Sequence, residues 1–203
     1  MGAILLLGGA STRMGEPKAG IDWNGRPLAA HVAQTLVTAV GGPVVAVAAP
    51  GQSVPALPAG VEIARDRVAG EGPLRGVEAG LEAIGDRADA IFVASVDAPL
   101  LHPVFVRALV DAIGDEDLLV PVAHGHRHPL TAAWRPSALP AVRAALAAGV
   151  AGPGAILDSV RTRLLDETAL LALPGVAAAD PSLDSLRNAN TPEELAAARA
   201  VAS

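Results

Sequence analysis

The sequence predicts an α/β fold, a doubly wound, mainly parallel sheet with helices on both faces. Three observations carry that expectation. Short apolar runs alternate along the chain with segments of helical period. The first run, residues 3–7, is continuously apolar, as a strand buried on both faces must be. Glycine or aspartate directly follows the best strands, and ligands of open α/β sheets bind beyond those carboxyl ends.

The elements follow in order. The run at 3–7 reads as a strand that stops at Gly8. Pro27 opens a helical pattern of Leu28, Val32, Leu36 and Val40, which Gly41 and Gly42 end. Residues 44–47 read as a second strand, 52–60 as a loop containing Pro55 and Pro58, and 61–64 as a short strand leading to Asp66. A glycine-containing loop at 70–76 precedes a helix over 77–84. The strand at 90–96 ends at Asp97, and Pro103 starts a helix carrying Phe105, Leu109 and Ile113. Strands at 117–122 and 130–134 flank the polar stretch AHGHRH. Helices are expected over 136–148 and 191–201; Thr191 with Glu194 three residues later has the form of a capping box. Residues 147–154, rich in Ala, Gly and Pro, read as a flexible connection within the domain. No repeat or linker is evident, so residues 1–203 are expected to form a single domain.

Composition narrows the function classes. Apolar residues make up 51% but aromatics only 2%, so the core must be built from Ala, Val, Leu and Ile. A net charge of −6 disfavours nucleic acid and anionic membranes as partners, because both require a basic face. Cysteine is absent, which removes disulfides, thiolate nucleophiles and Cys-ligated metals together. No basic n-region opens the chain, and no apolar run approaches the roughly 20 residues that span a bilayer. A cytoplasmic protein is the expectation.

Three loops carry chemistry. In LLLGGASTRMGEPK, Gly8, Gly9 and Gly15 do not space as G-x-G-x-x-G, and Lys18 does not complete G-x-x-x-x-G-K-[ST]. Its ingredients still converge on an anion. The paired glycines let backbone N–H groups approach phosphate, Ser11 and Thr12 add hydroxyls, and Arg13 and Lys18 add charge. In ASVDAPLLHP, Asp97 follows a buried strand and offers the hard oxygen ligation that suits Mg²⁺ beside substrate phosphates. In RDRVAGEGPLRG, Asp66 ends a strand, and Gly70, Gly72 and Gly76 surround Pro73-Leu74, permitting close approach to a flat base or sugar. The alternating His124, His126 and His128 read either as a transition-metal site or as a polar hairpin tip. Trp23 and Trp134 read as packing residues.

The first of these loops resembles the G-G-x-[ST]-x-R-M-G-x-x-K signature of the nucleotidyltransferases related to the molybdenum cofactor guanylyltransferase (MobA). EGPLRG resembles that family's G-P-L-x-G stretch, VDAPLL its metal-binding D-x-P turn, and LRNANTPEEL its Asn-x-Asn-Thr-Pro-Glu-Glu ending. His128-Pro129 also falls where that family often has His-Pro before a strand. The chain departs at Leu7, where the family usually has alanine, and at Glu16-Pro17, where an acidic residue and lysine are usual.

The resemblance implies a Rossmann-like, nucleotide-diphospho-sugar transferase-like fold. It implies nucleotide contacts from Leu6, Gly8, Gly9, Lys18 and Asp66, to which the loop chemistry adds Ser11, Gly72 and Pro73. It puts Asp97 on Mg²⁺ and nucleotide together, and Asn188 and Asn190 at the acceptor. The implied reaction moves GMP from GTP to the phosphate of molybdopterin and releases pyrophosphate. Transient contact with cofactor-synthesis or molybdoenzyme-maturation proteins is a further expected partnership.

Such a nucleophile is already an anion, so catalysis needs positioning and charge rather than a strong base. Arg13, Lys18 and Asp97 are the catalytic candidates, in a chain with no recognisable Ser-His-Asp order. Alternatives are cytidylyl transfer to the same acceptor, guanylyl transfer to a small phosphorylated metabolite, or a non-catalytic nucleotide-binding module. The Gly8-Gly9 pair resembles the guanine-using branch.

Overall fold

In the computed structural model, which describes residues 1–8, 17–66 and 70–202, the opening apolar run becomes strand β1 (Gly2–Leu6), buried at every position. Its side chains alternate between two apolar layers, Ala3 and Leu5 in one, Ile4 and Leu6 in the other. A strand with both faces covered has no reason to carry polar residues, which is why the run is unbroken.

A two-stranded hairpin follows, β2 (Asp22–Trp23) and β3 (Arg26–Pro27). Asn24 and Gly25 turn it with φ of 50° and 86°, and the sequence reading did not anticipate it. Then come α1 (Leu28–Ala39), β4 (Val44–Ala48), β5 (Val61–Arg65), α2 (Pro73–Ile84), β6 (Ile91–Ser95) and α3 (Pro103–Asp111). The rest of the chain supplies β7 (Leu118–Ala123), β8 (His126–Arg127), β9 (Thr131–Trp134), α4 (Leu139–Ala147) and β10 (Thr162–Leu165). It closes with α5 (Glu167–Leu171), α6 (Val176–Ala179) and α7 (Pro192–Val201).

The sheet order is β10-β7-β9-β6-β1-β4-β5, with β8 hung on β7. β9 runs antiparallel to both its neighbours and β8 antiparallel to β7; the other pairings in this sheet are parallel. Helices α1 and α3 cover one face of the sheet, with Leu28, Leu36, Phe105 and Leu109 in its layer. Helices α2 and α4 cover the other, contributing Leu74, Val77, Leu81 and Val142. The doubly wound α/β architecture is therefore present. Both tryptophans pack in the core, Trp23 in the first layer and Trp134 in the second. No helix among the described residues is long and apolar enough to cross a membrane.

Three local readings need correction. Helix α2 starts at Pro73, so Gly76 lies inside it rather than in the preceding loop. Residues 136–138 form a separate 3₁₀ turn before α4. The stretch 147–154 is not a loose connection, because Leu74 N–H donates to Ala151 O at 3.2 Å and fastens it to the start of α2.

Glycines set how closely α2 lies on β1. A Cβ at Gly80 would fall 2.7 Å from Ile4 Cγ2, and one at Gly76 would fall 3.0 Å from Leu6 Cδ2. Small residues one turn apart thus let the helix settle onto the strand that precedes the first glycine loop.

The packing predicts that Gly80→Val forces Ile4 out of its rotamer and destabilises the fold by about 1–3 kcal/mol. Urea unfolding should show a lower midpoint at unchanged slope. A midpoint at or above wild type would mean that this contact does not position the helix.

Candidate active site

Strand β1 lies between β4 and β6, so the direction in which strands are added reverses beside it. A crevice at the carboxyl ends of β1 and β6 is the geometric result. Val96 N–H donates to Leu6 O at 3.1 Å, which carries the register past β6 and aims Asp97 over the end of β1.

Lys18 enters this crevice from a 3₁₀ turn, Lys18–Gly20, just beyond the first loop. Its Nζ donates to Asp97 Oδ2 at 3.1 Å and to Asn190 Oδ1 at 2.8 Å. Residues 79 and 172 positions away in sequence thus converge on one ammonium group. The other carboxylate oxygen, Asp97 Oδ1, is buried and has no hydrogen-bond partner among the described residues. An anionic oxygen left this way is costly unless something positive completes its shell. The donor set fits Mg²⁺ in the form this cation prefers, one protein carboxylate with the remaining ligands from phosphate and water. Among the described residues no cluster of three His, Asp or Glu side chains offers a full protein cage.

The segment around Asn190 is secured from several sides. Ala189 N–H donates to Asp97 O at 2.8 Å, and His102 N–H donates to Ser185 Oγ at 2.9 Å. Asp180 accepts from the N–H groups of Asp184 and Ser185, closing the turn that delivers this segment. The capping box forms as expected: Thr191 Oγ1 accepts from Glu194 N–H, and Glu194 Oε2 accepts from the N–H groups of Asn190 and Thr191.

Two supporting residues escaped the sequence reading. His31, on α1, has its Nε2 2.8 Å from Pro99 O and its Nδ1 2.6 Å from the Arg26 guanidinium. A carbonyl only accepts and a guanidinium only donates, so Nε2 bears the hydrogen and the ring is neutral. It braces the turn that carries Asp97 against the β2–β3 hairpin. Gln52 Nε2 donates to Leu7 O at 3.0 Å while its Oε1 accepts from Ala49 N–H, joining the ends of β1 and β4. Neither position carries a motif. His31 shares the polar stripe of α1 with Gln34, Thr35 and Thr38, so its spacing did not set it apart from an ordinary solvent-side residue.

The remaining expected residues divide by position. Leu6 ends β1, Gly8 follows it exposed, and Asp66 follows β5 with its N–H on Ala48 O. Gly72 caps α2 with φ of 82°, where a Cβ would meet the Cβ of Ala151 at 2.6 Å, and Pro73 takes the first helical position. Glycine is required there on both counts. Gly9, Ser11 and Arg13 lie outside the described residues. Asn188 is exposed and lines an open cleft of about 810 Å³ that also reaches Asn190.

His124, His126 and His128 line the same cleft, yet they do not converge as ligands. His124 Nε2 lies 3.3 Å from Leu183 O and His128 Nε2 lies 3.0 Å from Ala123 O, which turns both rings onto backbone carbonyls. The hairpin-tip reading holds, with β8 and φ of 53° at His124 making the turn. Burial pushes the His31 and His128 imidazoles below their ordinary value of 6.5, against the opposing pull of a backbone carbonyl in each case.

Comparison with known proteins bears on this arrangement. Residues 3–168 match the model of the MobA-like NTP transferase domain. The molybdenum cofactor guanylyltransferase of Rhizobium meliloti (strain 1021) is 31% identical over 206 residues, spanning 98% of this chain and 90% of that protein. The molybdenum cofactor guanylyltransferase of Rhodobacter capsulatus is 32% identical, spanning 96% and 93%. Among solved structures, molybdopterin-guanine dinucleotide biosynthesis protein A of Archaeoglobus fulgidus superposes with a TM-score of 0.79 at 22% identity, covering 100% of this chain and 98% of that one. The 2-C-methyl-D-erythritol 4-phosphate cytidylyltransferase of Thermus thermophilus shares the fold, with a TM-score of 0.69 at 17% identity and coverage of 98% and 97%.

The two depressed histidines predict a pH dependence of stability. Below 6.5 the unfolded chain binds protons that the folded one refuses, so stability is complete above that value and erodes as pH falls through the folded-state pKa values. Asp117 titrates outside this window, since hydrogen bonds from Arg161 hold it down to about 2. The Tm should fall between about pH 7.5 and about pH 5, and less steeply in His31→Gln. An identical slope in that variant would assign the dependence to other groups.

Proposed function

The chain belongs to the MobA-like NTP transferase family, and on that footing we propose that this nucleotidyltransferase moves GMP from GTP to the phosphate of molybdopterin, releasing pyrophosphate. One observation carries the reading. Lys18, Asp97 and Asn190, drawn from the first loop, the turn after β6 and the Asn-x-Asn segment, meet within hydrogen-bonding distance at the topological switch point.

The reaction joins two anions, so the barrier is largely electrostatic. The acceptor's phosphate oxygen attacks the α-phosphorus of GTP, the bond to the bridging oxygen breaks, and the electron pair leaves with pyrophosphate. Lys18 supplies a fixed positive charge between the two substrates, which lowers their repulsion as they approach. Asp97 would hold Mg²⁺ through Oδ1, which has no partner among the described residues. When bound, that cation supplies charge to the triphosphate and to the leaving group. Asn190 and Asn188 bind the acceptor on the side of the open cleft, where amide N–H groups suit phosphate oxygens. Leu6, Gly8, Asp66, Gly72 and Pro73 take the nucleoside, their loops lying at the ends of β1 and β5 and at the start of α2. Gly9, Ser11 and Arg13 complete the set on the triphosphate.

Pyrophosphate release from GTP, Mg²⁺ and molybdopterin tests the proposal, with ATP, CTP and UTP as competitors. Release with GTP is expected. A flat signal with GTP still bound would make the protein a nucleotide carrier, and release with CTP alone would make it a cytidylyltransferase. Lys18→Ala should lower turnover about 10²-fold or more in a protein that still folds; near-normal turnover would remove Lys18 from the mechanism. Asp97→Ala should abolish the Mg²⁺-dependent signal, and retained activity would move the cation elsewhere.

A further inference from the structure

The open cleft beside Asn190 holds a charge that none of the motifs accounts for. Its walls are the β7–β8 turn on one side and the segment from Leu186 to α7 on the other, with Leu100 and Leu186 as apolar surface between them. Three charged residues line it: Arg127, Arg187 and Glu194. Two are already engaged. Arg187 Nε sits 2.8 Å from Asp184 Oδ1, and Glu194 Oε2 accepts from two backbone N–H groups. The Arg127 guanidinium has neither hydrogen bond nor ion pair among the described residues. The neighbouring imidazoles of His124 and His128 are turned through Nε2 onto backbone carbonyls.

Position decides which substrate this charge serves. The proposed nucleotide contacts sit at the ends of β1 and β5 and at the start of α2. β8 hangs from β7, which is separated from β1 by β9 and β6. Arg127 therefore stands on the wall away from the nucleotide loops, in a cleft that meets the reactive cluster at Asn190. A guanidinium forms paired, charge-assisted hydrogen bonds with phosphate that a neutral amide does not match.

We infer that Arg127 is an acceptor-binding residue that pairs with an anionic group of the phosphorylated acceptor and makes no contact with the nucleotide. The inference rests on the reading that the acceptor enters beside Asn190. It sets apart the two substrates of one reaction: the first loop and Asp97 deal with the triphosphate, and a residue of β8 selects for charge on the acceptor.

The test separates the two KM values. In Arg127→Ala the KM for molybdopterin should rise about tenfold or more, the loss expected for one hydrogen bond to a charged group. The KM for GTP should stay at its wild-type value, and Arg127→Lys should recover part of the loss. An unchanged molybdopterin KM, or an equal rise in both constants, would overturn the inference. Calorimetric titration of molybdopterin into wild type and Arg127→Ala, without nucleotide, reads the same contact independently of turnover. Weaker binding by the variant supports it; equal binding, or none by wild type, refutes it. Should wild type bind molybdopterin in an Arg127-dependent manner yet release no pyrophosphate, the transferase reading fails and the acceptor site stands.

Discussion

A single ammonium group ties the structure's distant parts together. Lys18 is held between a carboxylate and an amide carbonyl, and both it and Asp97 are largely withdrawn from water. A charge in that setting is tolerated only while its partners stay in place, because loss of one leaves the other buried and uncompensated. The Lys18–Gly20 turn, the turn after β6 and the segment that carries Asn190 are therefore joined by one electrostatic requirement.

Much of the surrounding structure reads as support for that requirement. Asp97 is set by a backbone hydrogen bond before it, from Val96 to Leu6, and by its own carbonyl, which receives Ala189. His31 holds Pro99, two residues on. Along β1 itself, Gly76 and Gly80 remove the side chains that would push α2 away, so the loop ahead of α2 comes in close to the strand end. The same carboxylate that must remain rigid keeps one oxygen without a partner among the described residues. Rigidity in the backbone combined with lone pairs left available at the tip is what a cation-assisted transfer asks of a protein ligand.

What was legible in the sequence follows from the physics of each element. β1, β4 and β6 are covered on both faces and so appear as unbroken apolar runs, and α7 is signalled by Thr191 and Glu194. β10, with the sequence TRLL, lies at the sheet edge partly exposed, and a half-polar edge strand has no such signature. The β2–β3 hairpin is marked by Asn24-Gly25, but strands of two residues are too short to show alternation. The start of α2 was obscured because Pro73 and Gly76, read locally, are breakers; only the close approach to β1 explains a glycine inside the helix. At the site, Lys18, Asp97 and Asn190 were readable because each sits in a motif. His31, Gln52 and Arg127 were not, since what they do depends on which distant carbonyl or cleft the fold brings beside them.

The hydrogen bond from Ala189 to the carbonyl of Asp97 also has a meaning in time. A chain made from its N-terminus forms β1, β4 and β6, and with them the turn that carries the carboxylate, well before residue 190 has been synthesised. Until then Lys18 lacks its amide partner and the cleft lacks a wall. The centre can therefore be completed only once residue 190 has been made, because the Lys18–Asn190 contact joins residues 172 positions apart. A product interrupted shortly before that point would lack Asn190 and α7, and with them one wall of the cleft.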